Sequence, residues 1–427
     1  MLAEIRQNVR FNLTVNVLDG AFFGLGLGVA SYVTVIPLFV ATMTDSSVLI
    51  GLIAAMHTIG WQLPQLLTAN RVARLRRYKP MVVLMTLNER LPFFALTLVA
   101  LSAPRIGREL ALILTFLFVT WQAMGGGLTG TAWQSMIAKI IPNDLRGTFY
   151  GLQSSAANLL SSGGAIVAGV ILSAGSAPEN FALCFLIAGV SMMLSLGFLN
   201  STREPEAQPA RATSRSTREF WRGLREILRI DHNFRLFIVA RTLAQVASVG
   251  TAFFTVYAVR HFEMSAGTAG VMTGILMLVS VVANPAFGWL GDHFSHRLMY
   301  GVGVLLAGGS AALALFAPSL EWFYLVFALA GISGAALWTT TMALTLEFGS
   351  EAERPYYIGL ANTLVAPATL VAPILGGWLA DWIGYGATFG IAALTGVVAL
   401  GIVLLIREPR LPYAAPVIPT SPYTEPS

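Results

Sequence analysis

Charged residues are scarce in this chain. Asp, Glu, Lys and Arg make up 11% of its 427 residues, whereas a water-soluble protein carries about a quarter. Hydrophobic residues reach 56%, and the mean hydropathy is +0.70. With so few charges, most of the surface must face lipid. The composition therefore excludes a water-soluble protein and predicts a protein embedded in a bilayer.

Cysteine and the common signatures of cofactor chemistry are also nearly absent. The one cysteine, Cys184, lies in an apolar run, which excludes an intramolecular disulfide and predicts a small packing residue. No Gly-x-x-x-x-Gly-Lys-Ser/Thr string occurs, so an ATP-driven pump is unsupported. No His, Cys or carboxylate cluster has the spacing of metal ligands. We therefore predict neither a metal nor a cofactor.

Long apolar runs dominate the rest of the chain. A helix needs roughly 20 apolar residues to cross a hydrocarbon core about 30 Å thick, and twelve runs qualify. We number them as spans 1 to 12, and they cover approximately residues 15–40, 47–69, 80–103, 110–137, 148–173, 180–200, 234–259, 267–290, 297–317, 320–347, 356–382 and 385–406. The runs are continuous and too long for the alternating ten-residue strands of a barrel. The sequence predicts an all-α membrane protein with twelve transmembrane helices.

The distribution of positive charge predicts the orientation. Of 26 Lys and Arg, three lie on one side (Arg105, Arg108, Arg260), two lie within spans, and the remaining 21 lie on the other side. By the positive-inside rule, the side rich in Arg is cytoplasmic, with both chain ends there. The first residues lack the features of a cleaved secretory signal. We predict a multi-pass protein of the inner (cytoplasmic) membrane, and the net charge of +5 is a topology signal rather than a nucleic-acid site.

The chain divides into two bundles of six spans. Residues 1–200 form the first predicted bundle and residues 234–408 the second. Between them, residues 201–233 are a polar cytoplasmic linker ending in a basic amphipathic helix, which we expect on the inner leaflet with Trp221 at the interface; a solvated connector is the alternative. Residues 409–427 are rich in Pro and are predicted to be a disordered cytoplasmic tail.

Short internal echoes indicate that the halves are related. Arg146 and Gly151 follow span 4, and Arg354 and Gly359 follow span 10, each 208 residues further on. A second string, Gly-Trp-Leu-x-Asp, closes span 8 at Asp292 and recurs at the end of span 11. Recurrence at the middle member of each triplet is the pattern of inverted three-helix repeats. We therefore expect two six-helix bundles with pseudo-two-fold symmetry.

The loop after span 8 carries a resemblance to a known family. It reads Gly288-Trp-Leu-Gly-Asp292-His-Phe-Ser-His-Arg297, which resembles the G-x-L-x-D-R-x-G-R-R loop of the major facilitator superfamily. The loop after span 2 keeps arginines but has Asn70 in place of Asp. The resemblance covers residues 10–408. It implies a monomeric transporter that works by alternating access, with its solute site between the halves near the midplane.

The same loops predict a cytoplasmic gate. A carboxylate such as Asp292 can face the free N–H groups of a helix that starts nearby, and family geometry implies the helix after Arg146. Asn70 is expected to make the same contacts with the helix starting near Tyr356, without charge. The predicted gate residues are Asn70, Arg71, Asp292, Arg297, Arg146 and Arg354. A purely topological role of these loops is the alternative.

Two marks of proton-driven drug exporters in this family are weak here. Their fourth helix carries an Arg before a Gly-rich stretch, but Trp121 takes that place before Gly125. Their fifth helix carries a Gly-Pro pair, whereas Gly163 and Gly164 are not accompanied by proline. These departures put a standard drug–proton antiporter in doubt without excluding efflux.

Few charges lie inside the spans. Asp19, Glu89, Arg90 and Arg241 all lie about 10–15 Å from the cytoplasmic helix ends, and their charges sum to zero. Because buried charges are costly, we hypothesise an interlocking cluster across both halves, in which a carboxylate takes up a proton when its Arg moves away. A static buried pair that fixes helix register is the alternative. His57, near the midplane, can titrate near neutral pH and is assigned to the same coupling group, with simple packing as its alternative.

Aromatic and amide side chains predict the solute cavity. Such groups suit a largely apolar pocket with a few polar contacts. The predicted cavity residues are Gln62, Trp121, Gln122, Gln245 and Trp338.

These features together predict a secondary transporter of a small organic solute. Proton coupling is expected, efflux of an amphipathic compound is slightly favoured, and proton-coupled nutrient uptake is the alternative. A membrane-embedded enzyme or sensor is a third reading, disfavoured by the lack of a catalytic constellation. The expected partners are the small-molecule substrate, protons and membrane lipids, with no nucleic acid.

Overall fold

The computed structural model describes residues 2–206 and 217–410, and every regular element in these ranges is helical. The predicted tail beyond Arg410 and the middle of the predicted linker, residues 207–216, lie outside the described residues. In the first half, the helices are Leu2–Val29 with Val35–Ala41 (span 1), Ser47–Gln62 with Gln65–Val72 (span 2), Lys79–Ile106 (span 3), Arg108–Ile140 (span 4), Arg146–Ala174 (span 5) and Glu179–Asn200 (span 6).

The second half repeats this order. After the linker helix, Thr217–Ile230, come His232–Ala247 with Gly250–Phe262 (span 7), Ala266–His293 (span 8), His296–Phe316 (span 9), Trp322–Thr345 (span 10), Arg354–Thr363 with Ala366–Trp382 (span 11) and Tyr385–Leu405 (span 12). Each predicted apolar run thus corresponds to one helix or one interrupted helix. The all-α architecture of twelve transmembrane helices is confirmed.

Four spans are interrupted where the sequence predicted continuous helices. In the described residues, eleven segments are long and apolar enough to cross a membrane unaided. The twelfth is span 2, whose two pieces of 16 and 8 residues are separated at Leu63 and Pro64. Proline cannot donate the backbone hydrogen bond that would continue the helix. Such breaks are tolerated at membrane depth where the backbone is buried or lines a cavity.

Apolar cores shared by the two halves lie at one end of the bundle. We call this end the basic end: it carries both described chain ends and is the side predicted to be cytoplasmic. There, two apolar cores mix residues from both halves, for example Leu66 of span 2 with Leu360 of span 11, and Ile137 of span 4 with Ile358. At the opposite end the two remaining cores each contain residues of one half. Span 5 packs against span 8, and span 2 against span 11.

The linker helix packs against protein rather than lying free. Phe220, Leu224 and Ile227 are buried and belong to the same core as Leu66 and Tyr356, at the basic ends of spans 2 and 11. The ring centroids of Phe220 and Tyr356 are 5.8 Å apart. The apolar face of this helix therefore packs on the seam between spans 2 and 11, and the expected position of the helix along the inner leaflet stays a prediction. Trp221 is exposed, as expected for an interfacial residue.

Candidate functional site

A cavity of about 330 Å³ lies between the two halves. Spans 1, 5, 8 and 10 contribute its walls. They supply Phe23, Gly24, Leu27, Ser154, Ala157, Asn158, Ser161, Ser280, Asn284, Gly334, Ala335 and Trp338. The lining positions of spans 5, 8 and 10 lie roughly 10–23 Å from the basic ends of their helices at 1.5 Å per residue, which is the middle of a bilayer core.

The cavity wall is neutral. Its polar groups are hydroxyls and amides, such as Ser154, Asn158 and Ser280, and its aromatic groups are Phe23 and Trp338. None of its lining residues is Asp, Glu, Lys or Arg. A wall of this kind holds an uncharged solute by apolar contact and a few hydrogen bonds, and it offers no ion-pair partner to a charged one.

Two tryptophans connect the halves at the floor of the cavity. The rings of Trp61 in span 2 and Trp338 in span 10 have centroids 5.6 Å apart and are tilted by 41°. Trp338 is 49% exposed because its other face borders the cavity. Of the five predicted cavity residues, Trp338 is the one that lines this cavity.

The other predicted cavity residues lie elsewhere. Gln62 accepts a hydrogen bond from Thr369 (3.1 Å), so it belongs to the seam between spans 2 and 11. Trp121 donates to Asn88 at 3.1 Å, on the side of span 4 that packs against span 3. Gln245 is half-buried in span 7. Helical period alone placed these residues by depth and could not determine which neighbour each would face.

Gln122 forms a separate polar group with His57. The Tyr32 hydroxyl donates to Gln122 Oε1 at 2.5 Å, and His57 Nδ1 lies 3.4 Å from the same oxygen. The rings of Tyr32 and His57 are stacked with centroids 4.1 Å apart. In the described part of the chain, Gln122 Nε2 has no hydrogen-bond partner although the side chain is fully buried. No sequence pattern indicated a role for Tyr32, which follows the end of the helix Leu2–Val29.

Three of the four predicted intramembrane charges lie together. Arg90 in span 3 lies 3.3 Å from Asp19 in span 1 and 3.8 Å from Glu89, and all three are nearly fully buried. Ser195 of span 6 donates to Asp19 at 2.5 Å, and Thr86 donates to Glu89 at 3.3 Å. The cluster therefore consists of two carboxylates around one guanidinium.

Arg241 does not join that cluster. Its guanidinium donates to the carbonyl of Ala361 (2.9 Å) and to Asn362 Oδ1 (3.1 Å) in span 11. No ion pair to Arg241 is found in the described residues. The hypothesis of one neutral cluster across both halves is wrong in this state, because Arg241 finds its acceptors at the break in span 11. The three remaining charges sum to −1.

Asp292 lies where the predicted gate requires it. Its two carboxylate oxygens accept the backbone N–H groups of Gly147 (2.8 Å) and Thr148 (2.6 Å), at the start of span 5. Gly288, one turn earlier, lies so close to Gly147 that a Cβ on either residue would overlap the other's backbone or its neighbours. The free N–H groups of a helix start thus hold a carboxylate from the other half.

Asn70 makes no such contact, and the expectation that it caps the helix near Tyr356 is wrong. Its Oδ1 accepts from Arg74 (3.2 Å) on its own chain segment. The loop carbonyl of Glu353 accepts the N–H of Tyr356, and Pro355 has no N–H. Gly288 of span 8 packs against Gly147, close to the start of span 5. Its counterpart in span 2, Leu66, packs against Gly359, which lies about one turn further into span 11 than Gly147 lies into span 5. The helix start is therefore displaced from Asn70 by about one turn.

The four predicted gate arginines have different positions. Arg146 donates to the Ala138 carbonyl and Arg354 to that of Leu346 (3.3 Å), so each ties a helix start to the preceding span. Arg297 lies 3.8 Å from Glu408 and also donates to the Ile406 carbonyl at the end of span 12. Arg71 is exposed at the basic end. None of the four contacts the other half directly through a hydrogen bond or ion pair in the described residues.

A family model described as Major Facilitator Superfamily matches residues 18–262 and 236–422, which is most of the chain. The chain belongs to the Major Facilitator Superfamily. Solved structures of this superfamily have the same fold. The fucose:proton symporter FucP of E. coli matches with a TM-score of 0.74 and 16% identity, covering 93% of this chain and 98% of that one. A bacterial homologue of the iron transporter ferroportin, in an outward-facing state, matches with a TM-score of 0.73 and 13% identity over 92% and 98%.

Curated relatives of this facilitator include drug exporters. Multidrug efflux pump LfrA of Mycolicibacterium smegmatis is 32% identical over 156 residues, which is 35% of this chain and 29% of the relative. Multidrug resistance protein 1 of Bacillus subtilis is 23% identical over 150 residues, 35% of this chain and 39% of the relative. The chain therefore matches only about a third of these relatives' own lengths.

The structure shows a paired feature of this facilitator that the sequence reading missed. Arg-Glu-Pro occurs after span 6, at Arg203-Glu204-Pro205, and after span 12, at Arg407-Glu408-Pro409. Asn12 exchanges two hydrogen bonds of 2.8 Å with the backbone of Arg203, and Asn233 exchanges bonds of 2.7 and 2.9 Å with that of Arg407. The repeated string was a readable signal. Its meaning required knowing which helix lies beside each copy.

The glutamate of each Arg-Glu-Pro string bonds to other helices of its own half. Glu204 accepts the backbone N–H groups of Tyr78 and Lys79, both at 2.8 Å, and pairs with Lys139 at 2.8 Å. Glu408 accepts from Ser295 at the start of span 9. Each half of the facilitator is therefore clamped at its basic end by the segment that leaves its sixth helix.

Two corresponding positions in the halves carry opposite charges. Glu347 stands 208 residues after Lys139. It lies 2.6 Å from Arg410 and 2.6 Å from His296 Nδ1, while His296 Nε2 lies 3.3 Å from Asp292. The gate carboxylate of this facilitator is thus supported by a second row of charges that sequence reasoning did not find.

Proposed function

We propose that this protein exports an uncharged amphipathic compound in exchange for protons. It would span the cytoplasmic membrane of the cell, with its basic end in the cytoplasm. The observation that carries the proposal is the neutral midplane cavity floored by Trp338. The similarity to LfrA and to Multidrug resistance protein 1 supports the direction.

The arrangement of the seams supports an outward-facing state. In the described residues, the hydrogen bonds between halves lie at the basic end and in the middle, from Asp292 on Gly147 outward to Ser162 on Met277 (3.9 Å). Beyond this point spans 5 and 8 expose large apolar residues such as Ile166 and Val271. The cavity would then be open to the side away from the cytoplasm.

The charge cluster supports proton coupling. Two carboxylates, Asp19 and Glu89, share the single guanidinium of Arg90, so the buried cluster carries one net negative charge. One added proton makes it neutral and lowers the cost of burying it. Because the two acids interact through one Arg, they titrate as a unit, and either could hold the proton.

Proteoliposomes with an acidic lumen test the direction and the coupling. When the basic end faces outward, an exporter accumulates an uncharged amphipathic fluorophore in the lumen as protons leave. We expect Asp19→Asn and Glu89→Gln each to lower gradient-driven accumulation at least about tenfold while leaving binding of the fluorophore intact. Trp338→Ala should weaken binding, whereas Trp382→Ala, a 76% exposed residue at the far end of span 11, should not. Undiminished gradient dependence in both acid variants would contradict the coupling.

Uptake of a small hydroxylated solute is the second candidate. The hydroxyl and amide groups of Ser154, Asn158, Ser161, Ser280 and Asn284 favour it, because they can bond a solute rich in hydroxyls. In the same vesicles a symporter would empty a preloaded solute from the acidic lumen. Accumulation supports the exporter, and emptying supports the symporter.

A further inference from the structure

A second, apolar cavity opens on the side of the bundle. It measures about 520 Å³ and lies between spans 2 and 4, with Trp221 of the linker helix and Thr363 of span 11 at its basic end. Its remaining lining residues are Met56, Ile59, Gly60, Leu63, Pro64, Leu66, Leu67, Thr120, Ala123 and Met124. Leu63, Leu67 and Met124 are 50%, 68% and 44% exposed, so this crevice faces out of the bundle rather than toward the midplane cavity.

The crevice runs along the membrane-spanning direction. From Met56 to Leu67 it follows about 16 Å of span 2, at 1.5 Å per residue. At membrane depth, a wall of this composition is in contact with hydrocarbon. The crevice thus has the form of a slot for a chain-like apolar molecule, closed at its basic end by an indole ring.

Unpaired positive charge lies beside the closed end. Arg222, Arg225 and Arg229 are exposed on the linker helix, next to Trp221, and Arg225 stands one turn after Trp221 on the same face. In the described part of the chain, no ion pair joins these three arginines to any carboxylate, including Glu226 of the same helix. A tryptophan flanked by arginines is the typical arrangement at the boundary between lipid chains and headgroups.

We propose that this crevice binds one anionic phospholipid of the inner leaflet. An acyl chain lies against spans 2 and 4, Trp221 packs against the glycerol region, and Arg222 and Arg225 bind the phosphate and its anionic headgroup. An apolar slot alone would accept any lipid, and arginines alone would attract any phosphate. Their adjacency selects a molecule with both parts, and guanidinium groups match phosphate oxygens in a bidentate manner.

The site has a structural consequence for the seam beside it. The linker helix covers the basic ends of spans 2 and 11 through Phe220, Leu224 and Ile227. A lipid held between Trp221 and span 2 would hold this helix in place. The bound lipid would thereby stabilise the closed basic end without touching the solute cavity, so its test does not depend on the identity of the transported solute.

Thermal unfolding of the full chain in a neutral maltoside detergent tests whether the site prefers an anionic headgroup. Dioleoyl phosphatidylglycerol is compared with dioleoyl phosphatidylcholine, which has the same chains and no net charge. We expect phosphatidylglycerol to raise Tm more than phosphatidylcholine does, because it binds the folded state more tightly. Arg222→Gln with Arg225→Gln should reduce this difference to about half or less. The matched double variant, Arg105→Gln with Arg108→Gln at the opposite end, should keep it.

A pair of tryptophan substitutions tests the slot. Met124→Trp fills the crevice and is expected to abolish the phosphatidylglycerol increment, whereas Leu117→Trp, 56% exposed on the same helix but outside the crevice, should preserve it. Equal increments for the two lipids in the wild-type chain would overturn the proposal. So would equal losses in the two arginine variants, or an unchanged increment in Met124→Trp.

Discussion

The two seams at the basic end close by different means. Between spans 5 and 8, two glycines bring the backbones together, and Asp292 binds two free N–H groups of span 5. Between spans 2 and 11, neutral groups carry the contact: Asn362 donates to Gln65 at 2.7 Å, and Thr363 donates to the Leu63 carbonyl at 3.1 Å. The linker helix covers only the second seam.

This difference shows how a duplicated loop can diverge in function. A charged acceptor on a free helix start is a strong but easily tuned contact, since one proton or one substitution removes its charge. A neutral seam buried under an amphipathic helix is spread over many weaker contacts. We infer that the seam between spans 5 and 8 decides when the basic end opens, and that the seam between spans 2 and 11 acts as the hinge side.

The largest effect is expected from Asp292→Asn. Hydrogen bonds to a charged group contribute about 1.5–3 kcal/mol, so their loss should shift the equilibrium toward the open basic end by roughly 10- to 100-fold. Spin labels at Asp144→Cys and His293→Cys, exposed in the two halves, report this opening as a longer distance. The background is Cys184→Ser, which removes the one native cysteine.

Asp381→Asn is the matched control for that variant. Asp381 closes the other Gly-Trp-Leu-x-Asp string, is exposed, and lies at the far end of span 11. It should leave the distance distribution unchanged. If the distance distribution of Asp292→Asn equals that of the wild-type chain, the contact of Asp292 with the start of span 5 does not hold the basic end closed.

An intermediate effect is expected from Thr369→Val. The substitution keeps the shape of the side chain but removes the hydroxyl that donates to Gln62 at 3.1 Å across the second seam. A neutral hydrogen bond contributes about 1 kcal/mol, so opening of this seam should increase about fivefold. Labels at Arg76→Cys and Glu351→Cys report it, with Thr395→Val, whose hydroxyl bonds only within span 12, as control. A shift as large as that of Asp292→Asn would remove the distinction between the seams.

The smallest effect is expected from Asn70→Asp. Restoring the acidic residue of the family loop should not create a second latch, because Pro355 has no N–H and the start of span 11 is displaced by about one turn. The open-state population reported by the same label pair should change by less than about twofold, which corresponds to about 0.4 kcal/mol. Strong closure in this variant would mean that the missing charge alone, and not the register of span 11, separates the two seams.

Much of the fold was predictable because lipid makes the signal simple. Twelve long apolar runs had to become helices, since they are too long and too continuous for barrel strands and a single segment satisfies its backbone in hydrocarbon only as a helix. The breaks were harder to predict. Pro64 was visible in the sequence, but whether a proline kinks or divides a helix depends on what packs beside it.

The candidate site was predicted only where a local rule applied. Asp292 could be placed because a carboxylate at a helix end needs a donor, and the family loop indicated which helix supplies it. Arg241 could not be placed, because depth along a helix says nothing about rotation around the axis. Its actual acceptors, at Ala361 and Asn362, exist because span 11 is broken there. Tyr32 and Arg410 were missed because contacts between distant segments carry no local pattern.

The Arg-Glu-Pro clamps also bear on the rate of transport. Each clamp joins helices of one half. Glu204 binds the start of span 3 and also Lys139 of span 4, and Glu408 binds the start of span 9. Neither crosses a seam, so the halves can separate at the basic end without breaking either clamp. The activation barrier for reorientation should therefore be set by the seams alone, and substitutions in the clamps should alter the unfolding temperature far more than the turnover rate.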